Sequence, residues 1–188
     1  MGYTMFDRAV ARLRFRAAFP HIRSQSQVCD IGCGLDAMFL RWLGSHIRIG
    51  VGLDRQVGRV SSPGVSVVCA DVSKVLPLRG GDFDHVVMLA VLEHLDHPTE
   101  TLREAFRILK PGGSLIISWP AVSVDPILNI LHRLAIVSDE MESDDHHCRI
   151  PVEALTSSLR EIGFERFFHR KFEWRLNNLL VAFKRLDV

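Results

Sequence analysis

Short apolar runs alternate with amphipathic stretches along almost the whole chain. Five runs, at residues 27–31, 47–53, 65–69, 84–90 and 114–118, have strand length and are rich in Val, Ile and Leu. Their near-continuous apolar character is that of strands covered on both faces. The intervening stretches carry a helical period. Residues 4–19 set Phe6, Ala9, Val10, Leu13 and Ala17 on one face and Arg8, Arg12 and Arg16 on another. Pro98 opens a helix whose stripe is Leu102, Ala105, Phe106 and Leu109, and Pro111-Gly112-Gly113 stops it. A helix from about Val152 to Ile162 turns Leu155, Leu159 and Ile162 inward and ends before Gly163. Phe164 to Phe172 and Asn178 to Lys184 suit a terminal strand pair. Strands alternating with helices predict an α/β fold, a parallel sheet covered on both sides, with ligand at the carboxyl ends of its strands.

Two connections break the rhythm. The helix expected between Asp54 and Val65 is cut to a stub by Gly58 and Ser61-Ser62-Pro63-Gly64. Segment 119–151 is long for a strand-to-helix connection, and loops of that length tend to be lids or binding elements. It reads as a substrate cover. Within it Asp125-Pro126 opens a short helix, Ile127 to Val137, which is apolar on nearly every side and suits either core packing or an apolar acceptor.

The 188 residues make one domain, 1–188, with residues 1–20 as an N-terminal helix and no sign of a repeat or linker. At 47% hydrophobic and 24% charged the chain can bury a full core. A formal net charge of +1 gives no global field for nucleic acid. No run approaches the ~20 apolar residues of a membrane span, and no signal-peptide pattern opens the chain. Cys29, Cys33, Cys69 and Cys148 read as reduced thiols of a cytoplasmic protein. His146-His147-Cys148 lacks a second ligand pair at metal-site spacing, so no metal is expected.

The chemistry begins where the first apolar run meets Gly32-Cys33-Gly34. A glycine turn between strand and helix is a place where ligand lies directly on backbone. Asp54 closes the next strand about 20 residues on, the spacing of a carboxylate that takes both hydroxyls of a ribose. Arg55 follows it. The ligand is therefore a nucleoside. Asp30, two residues before the first glycine, would repel a pyrophosphate and suits a cation, such as the ammonium and sulfonium of S-adenosylmethionine. Asp71 ends the third run and is placed for the exocyclic amine of adenine, with the Val72 amide beside it and Asp82 and Asp84 as rivals. Asp36 fits an N-cap of the first sheet-covering helix.

These residues resemble those of class I S-adenosylmethionine-dependent methyltransferases, in the small-molecule group that includes the ubiquinone/menaquinone-biosynthesis type. The motifs are Asp30-Ile31-Gly32-Cys33-Gly34, Gly52-Leu53-Asp54, Ala70-Asp71-Val72, Phe83-Asp84 leading to Val91-Leu92-Glu93-His94-Leu95, Leu102-Arg103-Glu104 through Arg107 to Gly113, and Glu161-Ile162-Gly163-Phe164-Glu165. The resemblance spans roughly Val28 to Lys184. It implies a Rossmann-like three-layer αβα domain with a mostly parallel seven-stranded sheet, the last strand antiparallel. It makes Asp84 structural and turns the carbonyls near Leu89 and Ala90 toward the ammonium of the cofactor.

Leu89-Ala90-Val91-Leu92 stands where enzymes acting on base amines carry an Asn/Asp-Pro-Pro-aromatic tetrad, and there is no Pro-Cys pair. The partner implied is a small-molecule or lipid-like acceptor, without nucleic acid and with at most peripheral membrane contact, for a monomer or homodimer. His94, just past the fourth strand, is a candidate base, with loop structure or cofactor positioning as the other reading. The resemblance places a histidine at the site's mouth before the 152–162 helix, making His146 or His147 a candidate base or substrate contact, against a plain solvated loop histidine. His97 is expected to help cap the Pro98 helix. The leading function is methyl transfer from S-adenosylmethionine, leaving S-adenosylhomocysteine. A non-catalytic cofactor-binding domain, acting as sensor or partner subunit, is the alternative; Asp30 argues against a nicotinamide-dependent oxidoreductase.

Overall fold

The computed structural model describes residues 5–121, 150–173 and 175–186. Seven strands form one sheet: β1 (Gln27–Ile31), β2 (Ile49–Asp54), β3 (Val65–Cys69), β4 (Phe83–Leu89), β5 (Leu109–Pro120), β6 (Phe164–Phe172) and β7 (Asn177–Lys184). Their order across the sheet is β3-β2-β1-β4-β5-β7-β6. The pairings from β3 to β5 are parallel, and β7 runs against both β5 and β6. This is the expected fold, with the last strand reversed.

Among the described residues four α-helices cover the sheet: α1 (Met5–Ala18), α2 (Met38–Leu43), α3 (Pro98–Ile108) and α4 (Val152–Ile162). Alternate strand residues divide between two cores. Cys29, Leu53, Val86, Met88, Leu115, Ile117 and Leu180 meet α3 and α4 through Leu102, Ala105, Leu155 and Leu159. Val28, Val87, Ile116, Leu179 and Val181 meet Phe15 of α1 and Phe39, Leu40 and Leu43 of α2. Each fully buried Leu or Ile adds about 1.5–3 kcal/mol over an exposed one, so the stripes of α3 and α4 suffice to hold those helices down.

Several expectations are corrected in detail. Leu109 caps α3 and starts β5 directly, so Pro111-Gly112-Gly113 lies inside a strand, as a bulge where the register passes from Phe83↔Leu109 to His85↔Ser114. α2 is preceded by Ala37 in the left-handed region, and Asp36 makes no cap; its carboxylate lies 3.4 Å from Arg41 on the surface. His97 holds the N-cap position of α3 without a side-chain hydrogen bond. Residues 55–64 form no helix, not even the expected stub. Residues 122–149, with the apolar helix, Cys148, His146 and His147, lie outside the described residues. At the margins of that segment Trp119 packs in the core on the α3–α4 side, and its indole N–H donates to the Ile150 carbonyl at 3.1 Å.

Two polar clusters brace the amino-terminal side of the sheet and its flank. The Asp84 carboxylate accepts from the Gln27 amide (2.8 Å) and from Lys110 (3.0 Å), the structural part expected of it. On α3, Glu104 accepts from the Leu76 amide and from the Arg107 guanidinium, each at 2.7 Å, while Arg107 also donates to the carbonyls of Leu76 and Leu78. Glu104→Ala removes the acceptor from the Leu76 amide and strips Arg107 of its carboxylate partner, leaving it only the two carbonyls. Hydrogen bonds to charged groups contribute about 1.5–3 kcal/mol, and at ~2–4 °C per kcal/mol a fall of several degrees in melting temperature is expected by calorimetry. Cofactor affinity should not change.

Candidate functional site

The carboxyl ends of β1 and β2 are joined by backbone before any side chain is considered. Gly32 and Cys33 both donate their amides to the Leu53 carbonyl, at 2.7 and 3.1 Å. Gly32 has φ +76°, and a Cβ there would stand 2.4 Å from Cγ2 of Val91, so the turn after β1 fits against the chain after β4 only without a side chain. Gly52 on β2 is a second close approach: a Cβ would lie 2.6 Å from the Cys33 sulfur. The Cys33 side chain is accordingly buried under the turn, where burial, Asp30 and Asp54 push its thiol up to about 12. The Cys33 contribution to the ligand side is its backbone.

This join sets Asp54 against the turn. Its Oδ2 accepts from the Gly34 amide at 2.9 Å and its Oδ1 from the Gln56 amide at 3.1 Å. Each carboxylate oxygen has room for a second donor. Asp30, one strand over, is only 3% exposed, and no donor reaches its carboxyl among the described residues. Burial and then the nearby Asp54 charge raise it to about 8. An acid in that state is neutral near pH 7 until a cation arrives.

At the third strand Asp71 is already well supplied. Its Oδ1 accepts from the Ser73 amide (3.1 Å), the Ser73 hydroxyl (2.6 Å) and Arg55 (3.1 Å), and these hold the carboxyl well below its ordinary range. The Arg55 guanidinium is thus drawn onto Asp71 at the rim. Val72 is buried, its carbonyl accepts from Thr101 at 3.0 Å, and its amide meets no acceptor among the described residues. Leu89 ends β4. Ala90 then adopts φ +56°, uncommon for a residue with a side chain, while its amide holds the Ser118 carbonyl at 2.9 Å. So Asp30, Gly32, Cys33, Gly34, Asp54, Asp71, Val72, Leu89 and Ala90 gather along one edge, over β3, β2, β1 and β4 in that order.

A profile of a methyltransferase domain matches residues 2–166. The chain belongs to this family. The ubiquinone/menaquinone biosynthesis C-methyltransferase UbiE of Pseudomonas putida (strain GB-1) is 33% identical over 117 residues, covering 55% of this chain and 45% of that protein. The methyltransferase thus spans about half the length of the curated relatives it matches. Among solved structures, a SAM-dependent methyltransferase from Archaeoglobus fulgidus superposes with a TM-score of 0.73 at 18% identity, covering 94% of each chain. Phosphoethanolamine N-methyltransferase 2 of Haemonchus contortus, solved with phosphomonomethylethanolamine and S-adenosylhomocysteine, gives 0.69 at 12% identity over 92% of this chain and 52% of that one. By family the chain is a methyltransferase domain, and its fold is similar to that of S-adenosylmethionine-dependent methyltransferases.

Past β4 the methyltransferase separates the two residues of Glu93-His94. Both lie in a 3-10 turn (Leu92–His94). His94 is exposed, whereas Glu93 is 4% exposed and pushed up to about 7, chiefly by burial. Spacing along the chain drew attention to His94; which neighbour turns inward depends on how the turn leaves the strand. Among the described residues no helix is long and apolar enough to cross a membrane.

Proposed function

We propose that the domain, over residues 1–188, moves the methyl group of S-adenosylmethionine to a small-molecule or lipid-like acceptor by in-line displacement. The observation that carries the reading is Asp30: a buried residue whose carboxyl meets no donor among the described residues, beside a glycine turn that Asp54 braces. That arrangement fits a cationic nucleoside and rejects a polyphosphate. In this reading Asp30 with the Leu89 and Ala90 carbonyls takes the cationic end and Asp54 the ribose hydroxyls. The amides of Gly32, Cys33 and Gly34 line the chain between them. Val72 offers its free amide to the adenine ring, and Asp71, held by Arg55, faces the exocyclic amine.

When bound, the cofactor supplies a methyl group already activated on sulfonium. The protein's task is then alignment and exclusion of water, which together can lower a barrier by about 7–11 kcal/mol. Segment 119–151 is the proposed cover, and His94, His146 and His147 are the proposed acceptor-side histidines. His147→Ala should lower turnover more than cofactor affinity, with His146→Ala as the variant one register away. A cytoplasmic site of action and a monomeric or homodimeric state belong to the same proposal.

Titration with S-adenosylhomocysteine tests the cofactor reading. Asp54→Ala should weaken binding by about 10- to 100-fold, since hydrogen bonds to a charged group contribute roughly 1.5–3 kcal/mol and the Gly34 amide would lose its acceptor as well. Calorimetric affinities equal to the native protein's would remove Asp54 from the site. A protein that binds S-adenosylhomocysteine yet transfers no methyl group to any acceptor panel would be the sensor or partner subunit instead.

A further inference from the structure

The half of the sheet edge that the cofactor reading leaves unused carries four buried oxygens without hydrogen-bond partners: Glu93 Oε2, Ser118 Oγ, Glu173 Oε1 and Asn177 Oδ1. Such atoms are rare in folded proteins, and each demands an explanation. Here they come from neighbouring elements. Glu93 follows β4, Ser118 lies near the end of β5, Asn177 begins β7, and Glu173 sits in the turn between β6 and β7.

The register puts them on one side. Ile116, paired with Val181, belongs to the core under α1 and α2, as does Leu179, which pairs with Ser118. Alternation then turns Ser118, and Asn177 two residues before Leu179, to that same face. Arg14 of α1 acts electrostatically on both Glu93 and Glu173, so the two carboxyls lie within range of the same guanidinium. Arg14 forms no ion pair within 4 Å with either among the described residues. Asn177 donates its Nδ2 to Glu173 Oε2, so its carbonyl oxygen is the atom left over. Glu93, Ser118 and Asn177 are 4%, 0% and 6% exposed.

Asn177 Oδ1 only accepts hydrogen bonds, as do the Glu93 and Glu173 carboxylates once ionised, and the fourth atom is a hydroxyl that does either. A ketone, quinone or ether would satisfy none of the three acceptors. A phosphate or carboxylate would be repelled by two carboxyls facing one guanidinium. An ammonium brings three donors and a positive charge. We infer that Glu93, Ser118, Glu173 and Asn177 form the acceptor subsite of this methyltransferase, and that it takes an amine. The inference rests on the cofactor reading above, which puts the cofactor over β3 to β4 and so leaves β5 and β7 to the acceptor.

The chemistry balances with one base. An amine arriving as ammonium gives a proton to the Glu93 carboxylate. Its nitrogen lone pair then forms the N–C bond as the S–C bond breaks, and that electron pair returns to sulfur as a neutral thioether. The methylated product leaves as an ammonium ion, and Glu93 releases the proton it took to solvent, which restores the carboxylate. Burial holds Glu93 at about 7, where a carboxyl can take a proton and return it near neutral pH.

Hexylamine and hexanol, equal in length and differing in charge and donors, are the probes. With the full chain saturated in S-adenosylhomocysteine, hexylamine should bind at least tenfold tighter than hexanol by titration calorimetry at pH 7.5. Glu93→Gln and Glu173→Gln, each close to isosteric, should weaken hexylamine at least tenfold and leave S-adenosylhomocysteine within twofold. Equal binding of the two probes, or of hexylamine to native and variant proteins, overturns the amine subsite while leaving the cofactor reading intact. Failure of the native protein to bind S-adenosylhomocysteine overturns the cofactor reading, and this inference with it. Should a variant not fold, the comparison of the two probes on the native protein decides alone.

Discussion

Gly32→Val should abolish S-adenosylhomocysteine binding, with affinity falling at least ~100-fold, and should lower the melting temperature by roughly 4–20 °C. Two costs add. A β-branched side chain at φ +76° stands where L-residues pay about 1–2 kcal/mol. Its Cβ would also fall 2.4 and 2.9 Å from the two methyls of Val91, which is itself buried, and overpacking of that kind costs about 1–3 kcal/mol. The total of about 2–5 kcal/mol sets the range through ~2–4 °C per kcal/mol. The loss of binding exceeds the loss of stability for a local reason. Any relief of the clash shifts the Gly32 and Cys33 amides off the Leu53 carbonyl, and with them the Gly34 contact to Asp54. Adding Val91→Ala should recover part of the stability, since it removes the clash and leaves the strained φ. Normal affinity in the single variant would take the cofactor off this turn.

The second large effect is on protons. Asp30 is raised to about 8 in the folded protein, above the ordinary carboxyl value, by burial and by Asp54; the other titratable groups around it are Cys29 and Cys33. Between about pH 4 and 8 the folded state therefore holds a proton that the unfolded chain has released. Stability falls as pH rises through this window, by up to about 1.4 kcal/mol per unit from this group. Cofactor binding runs the other way. A cation beside Asp30 favours the carboxylate, so binding below pH 8 should expel up to one proton and tighten by up to about tenfold per pH unit. Titration calorimetry in buffers of differing ionisation heat counts that proton directly. Asp30→Asn should flatten the pH dependence and weaken binding at pH 8 more than at pH 6. A native protein whose binding heat is the same in every buffer would mean that Asp30 meets no cation.

Much of this arrangement was readable in the chain, and the exceptions have physical causes. β1, β2 and β3 fall within two residues of their apolar runs, because uniformly apolar stretches bounded by turn residues leave little freedom. Spacing alone singled out Asp54, and the structure sets it against the Gly34 amide. β5 was not: Pro111-Gly112-Gly113 has the composition of a stop, and only the partner strand reveals that the chain bulges and continues. The same holds for Glu93 and His94. Both are polar, adjacent and just past a strand, and their opposite fates depend on a single 3-10 turn. Ser118 did leave a trace, a lone hydroxyl inside Leu115–Trp119, and Asn177-Asn178 another at a strand start. Glu173 left none, since its place depends on how β6 turns into β7.

The hydrogen bond from Trp119 to the Ile150 carbonyl has an evolutionary reading. It clasps the chain on either side of residues 122–149 at one point of the scaffold, with Trp119 anchored in the core and Ala121 tied to the Leu176 carbonyl at 2.7 Å. Ends held in this way keep their places whatever length of chain joins them. Doubling the length of such a loop costs only about 0.6 kcal/mol in closure entropy. Lineages can therefore exchange, lengthen or trim what lies inside the clasp while the methyl-donor machinery stays as it is. Grafting a foreign 122–149 segment between Ala121 and Ile150 is the laboratory version of the same experiment.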